Sequence, residues 1–233
     1  MGKNKAARWA EMKSFGNVIE PLMDDIRDAS HELKGKWNMS VFGNNNPLVL
    51  ELGCGKGEYT VGLAGRFPEK NFIGVDIKGA RIWRGAKTAR ENQFRNVHFL
   101  RTRIEFINSF FSEDEVSEIW ITFPDPFPRA RDEGRRLTSP PFLNSYRGFL
   151  ANKGIVHLKT DNHQLYLYTL ALVKKNNMEI ITSTDDLYSG STDNEILSIR
   201  THYETLFLRE GKKINYLSFR MDKQREINND PQK

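Results

Sequence analysis

The stretch LVLELGCGKG, residues 48–57, decides the fold class. Its first half, Leu48–Leu52, is a short apolar run typical of a buried strand, and glycines then recur at every second position. Glycines in such a place let the chain turn tightly and approach a ligand closely. A dinucleotide-binding G-x-G-x-x-G pattern would need a third glycine at Glu58, so the stretch is instead an acid followed by G-x-G-x-G. We interpret Cys54 as a small packing residue of this loop, not as a nucleophile.

Apolar runs and helical stretches alternate along the rest of the chain, which predicts βαβ units. Runs that are apolar on both faces fit a sheet covered by helices on both sides. The fold class is therefore α/β, with a Rossmann-like, mostly parallel central sheet. We expect one domain over residues 1–233, because no linker interrupts the pattern. The further predicted strands are Phe72–Ile77, Val97–Leu100, Ile119–Phe123, Ile155–Leu158, Met178–Thr184 and Ile214–Arg220, and the predicted helices are Glu58–Arg66, Gly79–Gln93, Pro140–Leu150, His163–Asn176 and, in part, Asp193–Arg209.

The charge balance permits a polyanionic partner without demanding one. The chain has 35 Lys and Arg against 30 Asp and Glu, a formal net charge of +5. Four of the basic residues fall within residues 1–15, where we expect a flexible basic arm; a terminus without function is the alternative. The sequence contains no run of 18 apolar residues, so it predicts no transmembrane helix. A single cysteine excludes an internal disulfide or a multi-cysteine metal site. These features predict a soluble intracellular protein.

An acid at the end of the second strand completes a predicted nucleotide site. Asp76 lies 23 residues after Gly53, close to the roughly 20-residue offset at which an acid meets a ribose. A carboxylate suits that place because it can accept hydrogen bonds from both ribose hydroxyls. The alternative is a structural glycine loop without a ligand.

A second informative segment, FPDPFP at residues 123–128, follows the fourth strand. Its three prolines predict a rigid, non-helical loop that holds Asp125 at the carboxyl end of a strand, where open α/β folds place their chemistry. Four arginines follow within eight residues, at 129, 131, 135 and 136, and predict phosphate contacts. The alternative for these arginines is a solvated charged turn.

These motifs together carry a family resemblance. The acid and G-x-G-x-G resemble motif I of the class I S-adenosylmethionine-dependent methyltransferases. Residues 123–137 resemble the F-P-D-P-W-P-K-x-R-H-x-x-R-R-L signature of the tRNA (guanine-N7-)-methyltransferases of the TrmB type, with Phe127 in place of the usual Trp and Arg129 in place of Lys. The similarity extends to KTD at residues 159–161 and to THYE at residues 201–204.

The resemblance implies S-adenosylmethionine as the cofactor. No metal is expected, because the five histidines show no metal-ligand spacing. In this family the aspartate that matches Asp125 lies between the methyl donor and the base, which makes Asp125 the predicted catalytic residue. Thr102 stands where such enzymes contact the adenine. The cofactor-binding residues are expected to be Glu51, Gly53, Gly55, Asp76, Thr102 and Asp125, and the substrate-binding residues Arg129, Asp161, Thr201, His202, Tyr203 and Glu204.

The implied chemistry makes modest demands on the protein. Guanine N7 has an available lone pair, so no strong general base is needed, and alignment for an in-line transfer dominates. Carboxylates suit the two donor groups of the guanine Watson–Crick edge. Asp161 and Glu204 are candidates for that edge or for holding the loop. Tyr203 or Phe127 could stack on an exposed base, or could pack in the core.

The resemblance therefore predicts N7 methylation of a guanine in the variable loop of tRNA. A bacterial-type cytoplasmic enzyme is expected, a monomer or homodimer with tRNA as its partner and no obligate protein partner. Two alternatives stay open at this point: a methyltransferase that acts on a protein or small molecule, and a non-catalytic RNA-binding protein on the same scaffold.

Overall fold

The computed structural model describes residues 3–21, 26, 30–189 and 197–229. Contacts between Cα atoms divide the chain into two compact units, Met1–Ser112 and Glu113–Lys233. We describe each unit by itself, and the single domain over residues 1–233 stays a prediction.

The first unit contains four parallel strands in the order β1-β4-β3-β2. Strand β2 is buried along its whole length, as expected of a strand covered on both faces. Because the strands are parallel, the carboxyl ends of β2, β3 and β4 lie at one edge, which carries the glycine loop. The strands are β1 Val18–Ile19, β2 Leu48–Leu52, β3 Asn71–Asp76 and β4 Val97–Arg101, and the helices are α1 Lys3–Met12, α2 Glu58–Arg66 and α3 Gly79–Glu91, with a π-helical turn at Asn38–Phe42 and a 3-10 turn at Ile104–Ser109.

The N-terminal stretch differs from the flexible arm expected over residues 1–15. Residues Lys3–Met12 form helix α1, which packs against α3. The Glu11 carboxylate accepts hydrogen bonds from the Trp83 indole at 2.8 Å and from the Lys87 ammonium at 2.9 Å. The Arg8 guanidinium lies 4.7 Å from the centre of the Trp83 ring. Cation–π and hydrogen-bond contacts thus attach this basic segment to the fold.

Apolar residues explain why this stretch folds. Trp9, Met12 and Phe15 are spaced three residues apart, so they lie close together along one side of the chain. Met12 and Phe15 are buried. The charges of the segment by themselves predict a flexible arm, whereas its apolar spacing accounts for the helix.

The second unit contains four strands in the order β5-β6-β8-β7. Strands β5 and β6 are parallel, whereas β8 is antiparallel to both of its neighbours. Helix α6 begins at His202, within the partly helical stretch predicted over Asp193–Arg209, and residues 193–196 of that stretch lie outside the described residues. The strands are β5 Val116–Thr122, β6 Leu150–Thr160, β7 Ile180–Thr184 and β8 Asn215–Arg220, and the helices are α4 Pro140–Arg147, α5 His163–Lys175 and α6 His202–Arg209, with a 3-10 turn at Ala130–Arg135.

The described helices all fall short of the length and apolar character that a membrane-spanning helix requires.

His98, a histidine on β4, is partly buried. The His98 ring meets the Phe42 ring edge-on, with 4.9 Å between the ring centres. His98 Nδ1 is buried and has no hydrogen-bond partner among the residues that the structure describes. Burial lowers the pKa of His98 to about 4. The folded protein therefore keeps this ring neutral at pH values where an exposed histidine is charged.

This environment predicts an acid-sensitive contribution to stability. Between pH 6.5 and about 4 the unfolded chain binds a proton at His98 that the folded chain does not. The free energy of unfolding should therefore decrease as the pH falls through this range, by on the order of 3 kcal/mol from His98 alone. Urea unfolding of the wild type and of His98→Leu at several pH values measures the effect. The stability of the variant relative to the wild type should rise as the pH falls; a constant difference would contradict the prediction.

Candidate functional site

The glycine loop after β2 has the left-handed backbone that glycine permits. Gly53, Gly55 and Gly57 have φ angles of 77°, 56° and 68°. The amides of Gly53 and Cys54 donate to the Val75 carbonyl at 2.8 and 3.0 Å, which fastens the loop to β3. A Cβ atom on Gly55 would meet nothing within 4 Å. The loop is thus rigidly attached yet leaves open space at Gly55, as a ligand-binding loop requires.

Glu51 lies buried beneath this loop and supports the first turn of α2. Its Oε2 accepts hydrogen bonds from the backbone amide of Thr60, at 2.8 Å, and from the Thr60 hydroxyl. Gly57 precedes α2 as its N-cap residue and has no side chain to offer. Glu51 therefore supplies the acceptor and the negative charge that a helix N-terminus favours. Its predicted contact with the cofactor stays a prediction.

Asp76 at the end of β3 is oriented toward the glycine loop. Its Oδ2 accepts from the Gly55 amide at 2.9 Å and its Oδ1 from the Lys78 amide at 2.7 Å. A carboxylate offers about four lone-pair sites, so the two oxygens retain acceptor capacity. The side chain is partly exposed. This arrangement fits the binding of a ribose diol.

Thr102, directly after β4, has a buried hydroxyl. The side chain is 1% exposed, and its Oγ1 has no hydrogen-bond partner within the described ranges. Buried polar atoms are nearly always paired, so an unpaired one needs an explanation. A bound base that hydrogen-bonds to Thr102 would provide one. The glycine loop, Asp76 and Thr102 together fit an adenosine-containing cofactor.

The environment of Cys54 supports its interpretation as a packing residue. The side chain is buried, and burial together with the charges of Glu51 and Asp76 raises the pKa of the thiol well above its usual value. The thiol therefore stays protonated and is a poor nucleophile.

In the second unit, the loop at residues 123–128 is held at both ends. Phe123 and Phe127 have φ angles of 49° and 41°, a conformation that is rare for bulky residues. The Phe123 amide donates to the Lys159 carbonyl at 2.8 Å. The Arg136 guanidinium donates two hydrogen bonds to the Phe127 carbonyl, at 3.2 and 3.1 Å. Two anchors and three prolines therefore keep this loop, called the Asp125 loop below, in one shape.

Asp125 itself is exposed at the tip of this loop. Its carboxylate makes no hydrogen bond or ion pair with any residue in the described part of the chain. A charged group kept on a rigid loop without a protein partner is available to a ligand.

The arginine run forms a positive surface next to the Asp125 loop. Arg129 and Arg135 share one carboxylate, that of Asp132, at 2.7 and 3.4 Å. Their side chains are 63% and 64% exposed, and Arg131 is exposed as well. Arg135 also lies 4.4 Å from the centre of the Phe127 ring. Arg136 differs in being only partly exposed, and its guanidinium packs 4.3 Å from the centre of the Tyr168 ring. One carboxylate does not neutralise the exposed arginines, so the surface can accept phosphate groups.

Helix α6 brings further predicted residues to a partly aromatic surface. Tyr203 is 47% exposed, and its ring centre lies 6.5 Å from that of Phe207, which lies 5.8 Å from that of Phe123. The Lys212 ammonium lies 4.4 Å from the centre of the Phe207 ring and pairs with Asp161 at 3.4 Å. We call these five residues the α6 surface. The exposed His202 ring adjoins Tyr203 at 5.8 Å.

Two predicted substrate-binding residues are buried instead. Thr201 is 9% exposed and Glu204 is fully buried. They form a reciprocal capping box, in which each side chain accepts a hydrogen bond from the other's backbone amide at the start of α6. Glu204 also forms a buried ion pair with Lys159 at 2.8 Å. Of the two roles considered for Glu204, the contacts favour holding the protein segment over contacting the base.

The sequence motifs include Lys159 but not Phe207, Lys212 or Tyr188, whose hydroxyl donates to Glu204 at 2.6 Å. A lysine in the otherwise apolar run of β6 was the one signal that could have drawn attention to Lys159. The other three have no such signal, because only the fold brings Phe207 to Phe123 and Lys212 to Asp161. The same holds for Tyr188 and Glu204. Within the described ranges, no group of three or more His, Cys, Asp and Glu residues could hold a metal ion.

Comparison with known proteins identifies the family. A family model described as "Putative methyltransferase" matches residues 45–217. A tRNA (guanine-N(7)-)-methyltransferase of Christiangramia forsetii is 50% identical over 94% of this chain and 98% of its own length. One of Porphyromonas gingivalis, with the same name, is 54% identical over 89% of this chain and 86% of its own. The chain belongs to the tRNA (guanine-N7-)-methyltransferase family. It is an S-adenosylmethionine-dependent methyltransferase, and S-adenosylmethionine is its methyl donor.

Solved structures confirm the predicted Rossmann-like α/β fold of class I methyltransferases. The 16S rRNA methyltransferase KamB matches with a TM-score of 0.62 at 13% identity, over 82% of this chain and 95% of the other. A structure of an antibiotic-related methyltransferase matches with a TM-score of 0.59 at 16% identity, over 82% and 96%. At these identities the similarity concerns the fold alone.

Two glycines of the cofactor loop should respond differently to alanine. A Cβ at Gly57 would lie 2.5 Å from the buried Phe99 ring, so Gly57→Ala should destabilise the protein by more than about 2 kcal/mol. Gly55→Ala meets no neighbour, so only its left-handed backbone opposes it, at about 1 kcal/mol. The Gly55 methyl would instead project into open space, where we expect the cofactor to bind. Thermal unfolding and calorimetric titration with S-adenosylmethionine separate the two effects.

Gly55→Ala should therefore lose cofactor affinity while it keeps most of its stability. Equal stability losses in the two variants, or unchanged affinity in Gly55→Ala, would contradict this assignment of the loop.

Proposed function

We propose that this enzyme transfers a methyl group from S-adenosylmethionine to N7 of a guanine in the variable loop of tRNA. The observation that carries the proposal is the exposed Asp125 carboxylate, which has no partner among the described residues and sits on a loop anchored at both ends. The relatives match nearly the whole chain, and their names support N7 of a tRNA guanine as the methylated atom.

Asp125 orients the guanine in this proposal. Its carboxylate accepts hydrogen bonds from the base and stabilises the positive charge that develops on the ring as N7 is methylated. No proton has to be removed from N7, so the protein needs alignment more than a strong base. A rigid loop suits this task, because a small displacement of the base weakens an in-line transfer.

The cofactor residues proposed from the first unit are those of the glycine loop and its neighbours. Asp76 binds the ribose hydroxyls, Thr102 binds the base, and the backbone at Gly53 and Gly55 lies against the ligand. Glu51 keeps the loop and α2 in place and adds negative charge beneath a cationic ligand. When bound, S-adenosylmethionine supplies an activated methyl group on a cationic sulfonium.

The substrate residues proposed from the second unit fall into two groups. Arg129 binds phosphate, and Asp161, His202 and Tyr203 contact the nucleotide that is methylated or its neighbours, with Tyr203 available for stacking. Thr201 and Glu204 act indirectly, because they are buried and hold the start of α6. We further propose that the enzyme works in the cytoplasm, as a monomer or homodimer without an obligate protein partner.

A methylation assay tests the proposed reaction. Purified protein with labelled S-adenosylmethionine should methylate total tRNA from a strain that lacks this modification, and the label should map to N7 of a variable-loop guanine. Asp125→Ala should lose about 100-fold or more in kcat/KM, because the oriented acceptor is lost. Asp125→Asn keeps the size of the side chain and serves as the control for shape. An active protein that labels only proteins or small molecules would replace the proposal, and cofactor binding without any transfer would favour a non-catalytic RNA-binding protein.

The arginine surface predicts a salt-dependent part of tRNA binding. Log affinity falls with log salt, and each phosphate contact contributes about 0.7–0.9 to the magnitude of this negative slope. Arg129→Gln with Arg131→Gln should therefore make the slope shallower by about 1.5. Arg95→Gln is the matched control, since Arg95 is an exposed arginine of the first unit. Filter binding at several salt concentrations measures the slopes. Equal slopes in the double variant and the control would show that these arginines are only a solvated turn.

A further inference from the structure

The Lys159 side chain is a fully buried cation with a specific set of acceptors. Its Nζ lies 2.8 Å from Glu204 Oε1 and donates to the carbonyls of Leu197 and Ile199, each at 3.0 Å. The three acceptors match the three N–H donors of an ammonium group. A lysine that is 0% exposed is rare, and it persists only when its charge and donors are satisfied in this way.

The main chain of the same residue anchors a different segment. The Lys159 carbonyl accepts the hydrogen bond from the Phe123 amide at 2.8 Å, which fastens the first residue of the Asp125 loop to β6. Lys159 thus connects two segments that are far apart in sequence. Its backbone holds the Asp125 loop, and its side chain holds residues 197–204 at the start of α6.

Glu204 receives further hydrogen bonds that fix its direction. The Tyr188 hydroxyl donates to Glu204 Oε1 at 2.6 Å, and the Thr201 amide completes the capping box. Burial and the bond to Glu204 raise the pKa of Tyr188, while burial lowers the pKa of Lys159 against the opposing effect of Glu204. The first turn of α6 is therefore held by a connected network rather than by one contact.

Burying the charges of Lys159 and Glu204 removes them from water, which costs free energy, so stabilisation of the fold does not by itself explain the ion pair. Replacing a buried ion pair with uncharged side chains of similar volume often leaves the stability unchanged or raises it. The best-attested benefit of a buried ion pair is that it specifies one structural arrangement. Here the specified arrangement sets the α6 surface, because Tyr203 and Phe207 follow the anchored turn and Phe207 packs near Phe123.

We propose that Lys159 is a positioning residue for the base that is methylated. Through Glu204 and the carbonyls of Leu197 and Ile199 it fixes the position of α6, and with it Tyr203, relative to the Asp125 loop. The proposal rests on the proposed function, since it assumes that the base lies between this loop and α6. Lys159 and Glu204 are too deeply buried to contact the substrate themselves.

The decisive variant removes the ion pair without leaving a buried charge. Lys159→Met combined with Glu204→Gln is neutral, and glutamine still completes a capping box and accepts from Tyr188. We expect S-adenosylmethionine affinity within about twofold of the wild type, because the glycine loop is untouched. At a temperature where the variant is fully folded, kcat/KM for tRNA should fall by at least about tenfold through displacement of the base. Hydrogen exchange of residues 201–209 should accelerate.

A second, milder variant keeps the proposal testable if the double variant fails to fold. Tyr188→Phe removes one hydroxyl from Glu204 and leaves the ion pair in place, so we expect a smaller loss in kcat/KM, about threefold, with the same faster exchange in α6. Thr169→Val is the matched control for mere destabilisation. It breaks the buried hydroxyl pair with Thr138, at 2.7 Å, which does not involve α6.

The outcomes separate positioning from stability. If Thr169→Val lowers the melting temperature but keeps kcat/KM, while the Lys159 and Tyr188 variants lose activity when folded, the positioning role is supported. The proposal is overturned if the folded double variant, Lys159→Met with Glu204→Gln, has wild-type kcat/KM and wild-type exchange. Where the double variant does not fold, the same result for Tyr188→Phe overturns it. The proposed function stands in both cases. A wild-type protein that does not methylate tRNA would instead overturn the proposed function, and with it the role of Lys159.

Discussion

In each unit, the loop that carries candidate site residues depends on hydrogen bonds between that loop and the strand beside it. In the first unit, the Val75 carbonyl accepts hydrogen bonds from two amides of the glycine loop, and the Asp76 carboxylate accepts one from a third amide. In the second unit, the Lys159 carbonyl accepts the first amide of the Asp125 loop. Parallel strands place their carboxyl ends at one edge of a sheet, so a strand end can hold the loop of its neighbour. This constraint gives irregular loops the precision that group transfer needs.

In both units a buried acid supports the first turn of a helix. Glu51 serves the first turn of α2, where Gly57 provides no cap, and Glu204 serves the first turn of α6 through a capping box. Each sits at a helix N-terminus, where negative charge is favourable. The sequence motifs predict that both residues bind a ligand, because a motif does not show whether a carboxylate contacts a ligand or a helix N-terminus. Burial distinguishes the two roles: Asp125 is exposed, whereas Glu204 is fully buried.

The N-terminal helix shows how charge can mislead when packing is ignored. A segment rich in lysine and arginine resembles a solvated arm, yet α1 uses Arg8 and Glu11 to dock on α3. The aromatic ring of Trp83 makes this possible, because its face attracts a cation and its indole N–H donates a hydrogen bond. Basic residues can thus contribute to folding contacts and are not always available to a polyanion.

The amino-acid sequence by itself determined the fold class, the bounds of β2 and α2, the glycine loop with Asp76, and the rigid loop around Asp125. These features are local: apolar runs, glycines and prolines act on the backbone within a few residues, so their effect can be predicted from order and spacing. Only the tertiary structure decided that Glu204 is buried, that Lys159 pairs with it, and that Phe207 lies beside Phe123. Those relations join residues far apart along the chain, and burial and ion pairing depend on which distant segments meet, which no local pattern specifies.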